Sequence, residues 1–346
     1  MRGAWWGARL TMRVSVVVPA HQAASLIGRN IQGLLRGGFA RSEIVVVDDG
    51  SRDGTGERAR ALGVRVVRNE TAQGPARARN RGVEATQADV VVFVDADVVV
   101  HPGTRAKIAA RFEEDPDLAA LFGSYDDAPA APGVVSRYRN LLHHFVHQRG
   151  DADAETFWTG LGAVRRDVFL EMGGLDRTWQ AIGDVEFGLR LRRTGQAIAL
   201  DRTLQGTHLK AWTLGSMLRT DLRGRAIPWA RLLVFHDGPT GDLNLSTSHR
   251  VSAAMVALFA LSLPAGLLDA RLLALGGLAV AAFLGANGRF LGYLARRHGA
   301  GFALRAMPYH ALHYAAAVAG YAWVVLVEQP ARWLARRGVA RGGTLP

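Results

Sequence analysis

Two aspartates separated by one residue, Asp95 and Asp97, directly follow the apolar run Val90–Val94. Four of the five residues in that run are β-branched, a pattern typical of a strand buried on both faces inside a parallel sheet. Ligands of open α/β sheets bind outside the carboxyl ends of the strands, so the pair is predicted to lie at the mouth of a site. Carboxylate oxygens favour Mg²⁺ or Mn²⁺, which would carry the phosphates of a substrate. The alternative for an isolated pair of this kind is a solvated acidic turn.

The strand before Asp95 closes an alternating series of predicted strands and helices. The predicted strands are 13–19, 43–47, 64–67 and 90–94, and the predicted helices are 25–35, one ending at 61, and one beginning at 73–82. Such alternation predicts a doubly wound, mostly parallel α/β sheet with right-handed crossovers. No Gly-x-Gly-x-x-Gly follows the first strand, so the dinucleotide fingerprint is missing. The turn Asp48–Ser51 instead offers a carboxylate and a hydroxyl for a base or ribose, or else a helix N-cap.

Composition divides the chain into two parts. Residues up to about Ser248 mix charged and apolar side chains as a soluble domain does, whereas Val251–Val327 is mostly apolar. The chain has no cysteine, which excludes disulfides and thiolate metal sites. Its formal net charge of +12 comes mainly from arginine and favours anionic partners, among which the apolar C-terminal part indicates lipid rather than nucleic acid. Arginine richness that only reflects genome composition is the alternative.

Seven short stretches occur in an order and spacing that carry family information. They are 16–20, 45–51, 76–82, 93–97, 157–160, 173–176 and 183–190. Together they resemble the family 2 glycosyltransferases of the GT-A fold, and the resemblance covers about 14–212. It implies a Rossmann-like GT-A domain, a nucleotide-diphosphate sugar donor, a divalent cation, and inversion at the sugar carbon.

The resemblance also assigns roles to single residues. It implies that Asp95 and Asp97 hold the cation, Asp49 the nucleobase, and that Asp184 is the catalytic base. The family usually has the dipeptide Glu-Asp at the position of the catalytic base, and in this sequence Gly183 replaces the glutamate that would precede Asp184. The other residues implied in donor binding are Pro19, Ala20, Arg77, Arg79, Asp95, Gly160, Glu186, His208, Lys210 and Trp212, with Glu186 as the reserve base.

Chemistry supports the same assignment, because displacing a nucleoside diphosphate needs a cation at the departing anion and a carboxylate facing the acceptor hydroxyl. The alternative for Asp184 and Glu186 is a charged helix start.

The segment Thr207–Trp212 is similar to a Gln-x-x-Arg-Trp sequence that membrane-embedded synthases of the family carry near this point. His208 would complete the metal shell or contact the diphosphate, Lys210 would neutralise phosphate, and Trp212 would stack against a sugar face. The departure from the synthase sequence argues against processive polymerisation. A purely structural role for the histidine and tryptophan is the alternative.

The C-terminal part has the composition of membrane helices. Candidate spans are 251–268, 272–294 and 308–327, each near the length that a bilayer requires. Residues 216–233 mix arginine, tryptophan and apolar residues, which is typical of a helix lying in the membrane interface; a soluble amphipathic helix is the alternative. The positive-inside rule places the basic loop 295–305 in the cytoplasm, and a third full crossing would put the basic tail outside, so two or three spans both remain open.

These observations divide the chain into five predicted parts. They are an N-terminal extension without packed structure (1–12), a GT-A catalytic domain (13–215), an interfacial amphipathic segment (216–248), two or three transmembrane helices (249–328) and a basic tail (329–346).

The predicted function is that of an inverting, Mg²⁺- or Mn²⁺-dependent hexosyl- or acetylhexosaminyltransferase at the cytoplasmic face of a bacterial inner membrane, with a lipid or lipid-linked hydroxyl as acceptor. One alternative is a polyprenyl-phosphate acceptor, for which Asp184 is dispensable. The others are a catalytically silent membrane protein of the same fold and a nucleotidyltransferase, which usually has a phosphate loop that is missing here.

Overall fold

The computed structural model describes residues 12–236, 238 and 246–333. Nearly all of the predicted N-terminal extension, 1–12, and most of the predicted basic tail, 329–346, lie outside the described residues. The described part consists of a mixed α/β domain followed by a set of apolar helices.

Eight strands form one sheet. They are β1 (Val14–Ala20), β2 (Ile44–Asp49), β3 (Arg65–Asn69), β4 (Val90–Val94), β5 (Val98–Val100), β6 (Leu118–Tyr125), β7 (Leu161–Arg165) and β8 (Ala197–His208). Their order in the sheet is β3-β2-β1-β4-β7-β6-β8-β5. The first four strands are parallel, as the alternating pattern predicts. Strand β7 runs antiparallel to both β4 and β6, so the second half of the sheet is mixed.

Helices cover both faces of the sheet. They are α1 (Ile27–Arg36), α2 (Thr55–Ala61), α3 (Pro75–Glu84), α4 (Thr104–Glu114), α5 (Val134–His147), α6 (Arg166–Glu171) and α7 (Gly183–Arg193). Apolar residues of α1 and α4 pack on one face, and those of α3, α6 and α7 pack on the other. Strand β4 is consequently buried along its whole length, as its continuous apolar run predicts. The predicted α/β fold class is confirmed.

The remaining helices are α8 (Leu214–Asp221), α9 (Ile227–Phe235), α10 (Thr247–Ala265), α11 (Leu272–Ala286), α12 (Gly288–His298) and α13 (Ala300–Trp323). A π-helical turn, Leu222–Ala226, joins α8 to α9, and α13 continues as one helix to Trp333. Helices α10 and α13 are long and apolar enough to cross a membrane. The pair α11 and α12 is a third candidate only if the two are taken together, because they are bent by 61°.

The bend between α11 and α12 lies within the predicted span 272–294. Asn287, at the break, is buried and donates a 2.8 Å hydrogen bond to Ser252 of α10. Beyond the break, Phe290 and Leu294 of α12 pack against Tyr138 of α5, in the sheet domain. The predicted span is therefore a broken helix whose second half packs on the α/β domain.

Residues 214–235, here called the interface segment, lie along α13. Asp221 is 3.2 Å from His313, and Arg231 forms a 2.7 Å ion pair with Glu328. Arg225 lines an internal cavity. Arg231 thus contacts α13 while its side chain stays partly exposed, Arg225 is accessible from the cavity, and the placement of this segment in the membrane interface stays a prediction.

Candidate active site

A cavity of about 1370 Å³ opens at the carboxyl edge of the sheet and continues between α9, α10 and α13. We call the part lined by the strand ends the sheet end, and the part lined by α10 and α13 the helix end. The predicted site residues on its wall are Pro19, Ala20, Asp49, Arg79, Asp95, Asp97, Asp184, His208, Lys210 and Trp212. Three predicted residues, Arg77, Gly160 and Glu186, are not on the cavity wall.

The loop that carries Asp95 and Asp97 is fixed by backbone hydrogen bonds. The buried Asn30 side chain donates to the Asp95 carbonyl at 3.0 Å. The Asp95 amide donates to the Gly160 carbonyl at 3.2 Å, and the Leu209 amide donates to the Asp97 carbonyl at 2.8 Å. Strands β4, β7 and β8 and helix α1 therefore hold both carboxylates in place before a ligand arrives.

The two carboxylates have different surroundings. Arg79 donates to Asp95 at 2.5 Å, whereas Asp97 lies 3.5 Å from Nε2 of His208. Burial raises the pKa of Asp95, and the charge of Arg79 opposes this without cancelling it. Burial also acts to raise the pKa of Asp97, but the adjacent His208 and Lys210 outweigh it and hold that pKa below its ordinary value. Asp97 thus has the lower pKa of the pair.

His208 reaches Asp97 through strand pairing. Strand β5 begins directly after Asp97 and pairs antiparallel with the end of β8, where Val98 lies opposite His208. The ring of Tyr125, at the end of β6, stacks on the His208 ring with centroids 4.1 Å apart. The orientation of the imidazole is therefore set by a strand on one side and an aromatic ring on the other.

The donor set at this point fits a divalent cation. A carboxylate and an imidazole, Asp97 and His208, line the cavity side by side, and Oδ2 of Asp95 accepts no hydrogen bond from a described residue. In the described ranges no group of three or more His, Asp or Glu side chains is arranged so that it could hold a metal ion by itself. Few protein ligands suit Mg²⁺ or Mn²⁺, which commonly keep positions for water and substrate phosphate.

Asp184 lies in the first turn of α7 and faces the cavity. Its Oδ2 accepts hydrogen bonds from the amide and the hydroxyl of Thr159, both at 3.1 Å. Burial is the main cause of the raised pKa of Asp95, and the negative charges of Asp97 and Asp184 raise it further. Asp184 is therefore electrostatically coupled to the sheet end. Glu186 forms a 2.6 Å ion pair with Arg190 instead. Of the two acidic residues, only Asp184 faces the site.

Asp49 is buried at the end of β2 and also lines the cavity. Its carboxylate accepts hydrogen bonds from Asn69 at 2.6 Å and from the amides of Gln73 and Gly74 at 2.9 Å each. It therefore orders the loop that leads into α3. Its neighbour Asp48 is fully buried and accepts from the Ser51 amide at 3.0 Å, which is a turn-capping role.

The two candidate arginines of α3 point in different directions, because residues two apart lie about 200° apart around a helix. Arg79 faces the cavity and Arg77 is exposed. Gly160 supports the site indirectly, since a Cβ at this position would collide with the indole of Trp158. Trp158 is itself on the cavity wall.

Trp212 is enclosed by cationic side chains. The Lys210 ammonium lies 4.2 Å from its ring centroid and the Arg139 guanidinium lies 5.4 Å from it. The Trp212 amide donates to Ser136 of α5 at 2.9 Å. These contacts tie the segment after β8 to α5, and stacking of Trp212 on a sugar stays a prediction.

Several cavity residues were missed by the sequence reasoning. The ring of His143 lies 4.2 Å from Tyr125, 4.5 Å from Trp158 and 3.9 Å from His147. Burial lowers the pKa of His147 to about 4 and that of His143 well below its ordinary value. The signal was a pair of histidines four residues apart in an apolar helix. The cavity residue Arg225 had no such signal.

Comparison with protein families gives a match to the first part of the sheet domain, from β1 to just after α6. Residues 15–173 match the family described as glycosyl transferase family 2. These residues belong to that family. The matched part of the family 2 domain includes Asp49, Arg79, Asp95 and Asp97 and ends ahead of Asp184.

Three bacterial relatives show how far the similarity extends. An uncharacterized glycosyltransferase of Haemophilus influenzae is 25% identical over 190 residues, covering 51% of this chain and 61% of the relative. The pre-mycofactocin glycosyltransferase of Mycobacterium tuberculosis is 28% identical over 273 residues, covering 73% of this chain and 53% of the relative. The succinoglycan biosynthesis protein ExoU of Rhizobium meliloti is 33% identical over 178 residues, covering 47% and 51%. The chain thus spans about half to three fifths of these relatives.

One solved structure resembles nearly the whole chain. The mannosyltransferase PcManGT from Pyrobaculum calidifontis, in complex with GDP-Man and Mn²⁺, has a TM-score of 0.59 and 17% identity. The likeness covers 91% of this chain and 88% of that protein. At this identity it establishes a common fold, which extends beyond the family 2 domain into the apolar helices.

Proposed function

We propose that the protein transfers one sugar from a nucleoside-diphosphate sugar to a hydroxyl of a lipid or lipid-linked acceptor, with inversion at the sugar carbon. The observation that carries this proposal is the single cavity that connects Asp95, Asp97 and His208 with Asp184 and continues between the apolar helices. Family membership supports the reaction class.

We assign the donor to the sheet end. Asp49 and the loop after it hold the nucleobase, while Arg79 and Lys210 contact the diphosphate. Asp97 and His208, with Oδ2 of Asp95, hold a Mg²⁺ or Mn²⁺ ion, which when bound neutralises charge on the diphosphate. PcManGT, of the same fold, was solved with GDP-Man and Mn²⁺, in agreement with this arrangement.

We assign the general base to Asp184. Two hydrogen bonds from Thr159 fix Oδ2. Oδ1 accepts one hydrogen bond, from the Val185 amide at 3.0 Å, and keeps a second lone pair to accept the proton of an acceptor hydroxyl. Attack from the side opposite the departing diphosphate inverts the sugar carbon and needs one base. A charge-coupled carboxylate lining a cavity is the environment in which catalytic bases are found.

We place the acceptor at the helix end of the cavity. The cavity walls there come from two helices that are long and apolar enough to cross a membrane. An acceptor whose chain lies in the bilayer therefore reaches Asp184 while that chain stays in the bilayer. The segment 295–305, predicted as a basic loop, is mostly helical: Arg296 and Arg297 lie in the last turn of α12 and Arg305 lies in α13. These arginines favour a cytoplasmic catalytic domain at a bacterial inner membrane.

The test is a transfer assay with the full chain in detergent and Mn²⁺. A panel of UDP- and GDP-sugars is supplied with a bacterial lipid extract, and lipid-dependent release of nucleoside diphosphate is measured. Asp184→Asn should lower transfer by roughly 10²–10⁴-fold and leave donor affinity unchanged. The matched control Asp167→Asn, at an exposed position of α6, should keep full activity. Transfer that survives Asp184→Asn would refute the assignment of the base and point to an acceptor that is already anionic.

A further inference from the structure

The helix end of the cavity is shaped for a narrow apolar group. Its walls carry small side chains from both helices, namely Ala253, Ala254 and Ala257 of α10 and Ala317 and Val318 of α13. Small residues on facing helices leave a slot between them that larger side chains would fill. An extended hydrocarbon chain matches such a slot, and the polar side chains Arg250, His313 and Tyr321 also lie on the cavity wall.

One cation of this region has no partner. Arg225, in the turn between α8 and α9, lines the cavity and is accessible from it. Among the described residues it forms neither a hydrogen bond nor an ion pair. Arg139 of the same wall forms a 2.9 Å ion pair with Asp221, and both side chains are almost fully buried. Arg139 is thus neutralised by the protein, and Arg225 is not.

Arg225 remains a cation at neutral pH. Burial and the nearby Arg139 lower its pKa to about 10, while the charges of Asp221, Tyr125 and Asp184 act in the opposite direction. An accessible guanidinium on a cavity wall that no carboxylate of the described residues pairs with is available to an anion, and guanidinium groups bind phosphate through paired hydrogen bonds.

Arg225 lies on the wall of the same cavity as Asp184 and the alanines of α10 and α13. The interface segment that carries Arg225 packs along α13, where a Cβ at Gly320 would collide with Ala226. The unpaired cation, the candidate base and the apolar slot therefore share one cavity.

We propose that Arg225 binds the phosphate of a long-chain lipid acceptor whose hydrocarbon chain lies between α10 and α13. This rests on the proposed function, since it makes the occupant of the slot the acceptor. A phosphate held at Arg225 positions the group attached to it near Asp184. The donor diphosphate has its own cationic partners at the sheet end, so the charge of Arg225 is left for the acceptor.

Direct binding tests this without any turnover. The full chain in detergent is titrated with farnesyl phosphate, with farnesol, which has the same chain and no phosphate, and with inorganic phosphate, which has no chain. We expect farnesyl phosphate to bind at least about tenfold more tightly than either, as a charge-assisted hydrogen bond added to an apolar chain requires.

Substitutions separate the contribution of the phosphate to binding from that of the hydrocarbon chain. Arg225→Gln should remove the preference for farnesyl phosphate over farnesol, and Arg225→Lys should keep part of it. The exposed neighbour Arg223→Gln should behave as the native chain. Ala254→Leu with Ala317→Leu should weaken both lipids by filling the slot, whereas Ala260→Leu, on an exposed face of α10, should not. Binding of a nucleotide sugar, measured on every variant, reports that the fold is intact.

The outcomes separate this inference from the proposed function. A preference for farnesyl phosphate that persists in Arg225→Gln, equal binding of both lipids to the native chain, or full competition by inorganic phosphate overturns the inference. Lipid phosphate binding that depends on Arg225 in a protein that neither binds nor uses any nucleotide sugar retains the lipid site and removes the transferase. Donor-dependent transfer that is unaffected by substitution of Arg225 retains the transferase and removes the lipid phosphate site.

Discussion

The two ends of the cavity are built from different elements and carry charge differently. At the sheet end, charged side chains are paired and fixed: Arg79 contacts Asp95, Asp97 lies beside His208, and Asp49 accepts three hydrogen bonds. At the helix end, alanines and a valine of α10 and α13 line the wall together with Arg250, His313 and Tyr321, and the side chain of Arg225 has no hydrogen-bond or ion-pair partner among the described residues.

The difference follows from what each element can provide. A parallel sheet brings the ends of several strands to one edge, so that polar groups from distant parts of the sequence meet and orient one another. Helices packed side by side instead provide a groove, and polar groups enter it only where a turn interrupts them. The sheet end is therefore suited to a polar ligand of defined geometry, and the helix end to a flexible apolar chain.

The largest effect is expected at the sheet end. Asp97→Ala removes the carboxylate with the lower pKa and leaves His208 without its partner, so transfer should fall by roughly 10³-fold or more, because loss of charge stabilisation at a departing diphosphate costs several kcal/mol. Isothermal titration with Mn²⁺ and a nucleotide sugar, followed by the transfer assay, measures this.

Arg77→Gln is the matched control for that experiment, because Arg77 is on the same edge of the domain and is exposed. It should leave donor affinity within about twofold. A larger loss in Arg77→Gln than in Arg79→Gln would mean that the α3 helix presents its other face to the donor.

The next largest effect is expected on the free energy of unfolding, at the ion pair between α5 and α8 beside α13. Asp221 is buried with Arg139 and lies 3.2 Å from His313 of α13. Asp221→Ala leaves a buried guanidinium without a counter-charge and should cost about 3 kcal/mol or more of unfolding free energy. Denaturant unfolding in detergent is the measurement.

The control for this experiment is an exposed ion pair, Asp153 with Arg192 at 2.9 Å. Asp153→Ala should cost less than about 1 kcal/mol because solvent screens the pair. Equal losses in the two variants would contradict the view that a buried charge pair links the sheet domain to α13.

A pH effect is expected from the histidines beside the sheet end. His147 has a pKa of about 4 in the folded protein, against an ordinary value of 6.5, because it is buried. Between those values the unfolded chain binds a proton that the folded chain does not, so stability falls as the pH is lowered through this window. Between pH 7 and pH 5 the loss from this residue is about 2 kcal/mol.

His147→Asn keeps a donor for the Gly123 carbonyl, which His147 contacts at 2.9 Å, and should make stability depend less steeply on pH. The exposed His236→Asn should leave the slope unchanged. An unchanged slope in His147→Asn would show that this histidine is already protonated in the folded protein or is not buried.

Much of the sheet end could be predicted because its signals are local. The run Val90–Val94 fixes a buried strand by composition, and the two aspartates after it must lie at the strand end. The family resemblance then correctly indicated glycosyl transferase family 2. Sequence reasoning could not separate Arg77 from Arg79, or Asp184 from Glu186, because both members of each pair have the same chemistry and differ only in direction.

What the sequence determined by itself was the order of strands and helices as far as β4, the acidic groups at strand ends, and an apolar C-terminal part. These depend on residue type and spacing along a few consecutive residues. Tertiary structure alone decided that β5 pairs with β8 and so brings His208 to Asp97, that β7 reverses direction, and that the cavity extends past Asp184 to Arg225 between α10 and α13. Such contacts join residues far apart in the chain, and their free energy depends on packing and on pairing of charges in three dimensions, which no local pattern records.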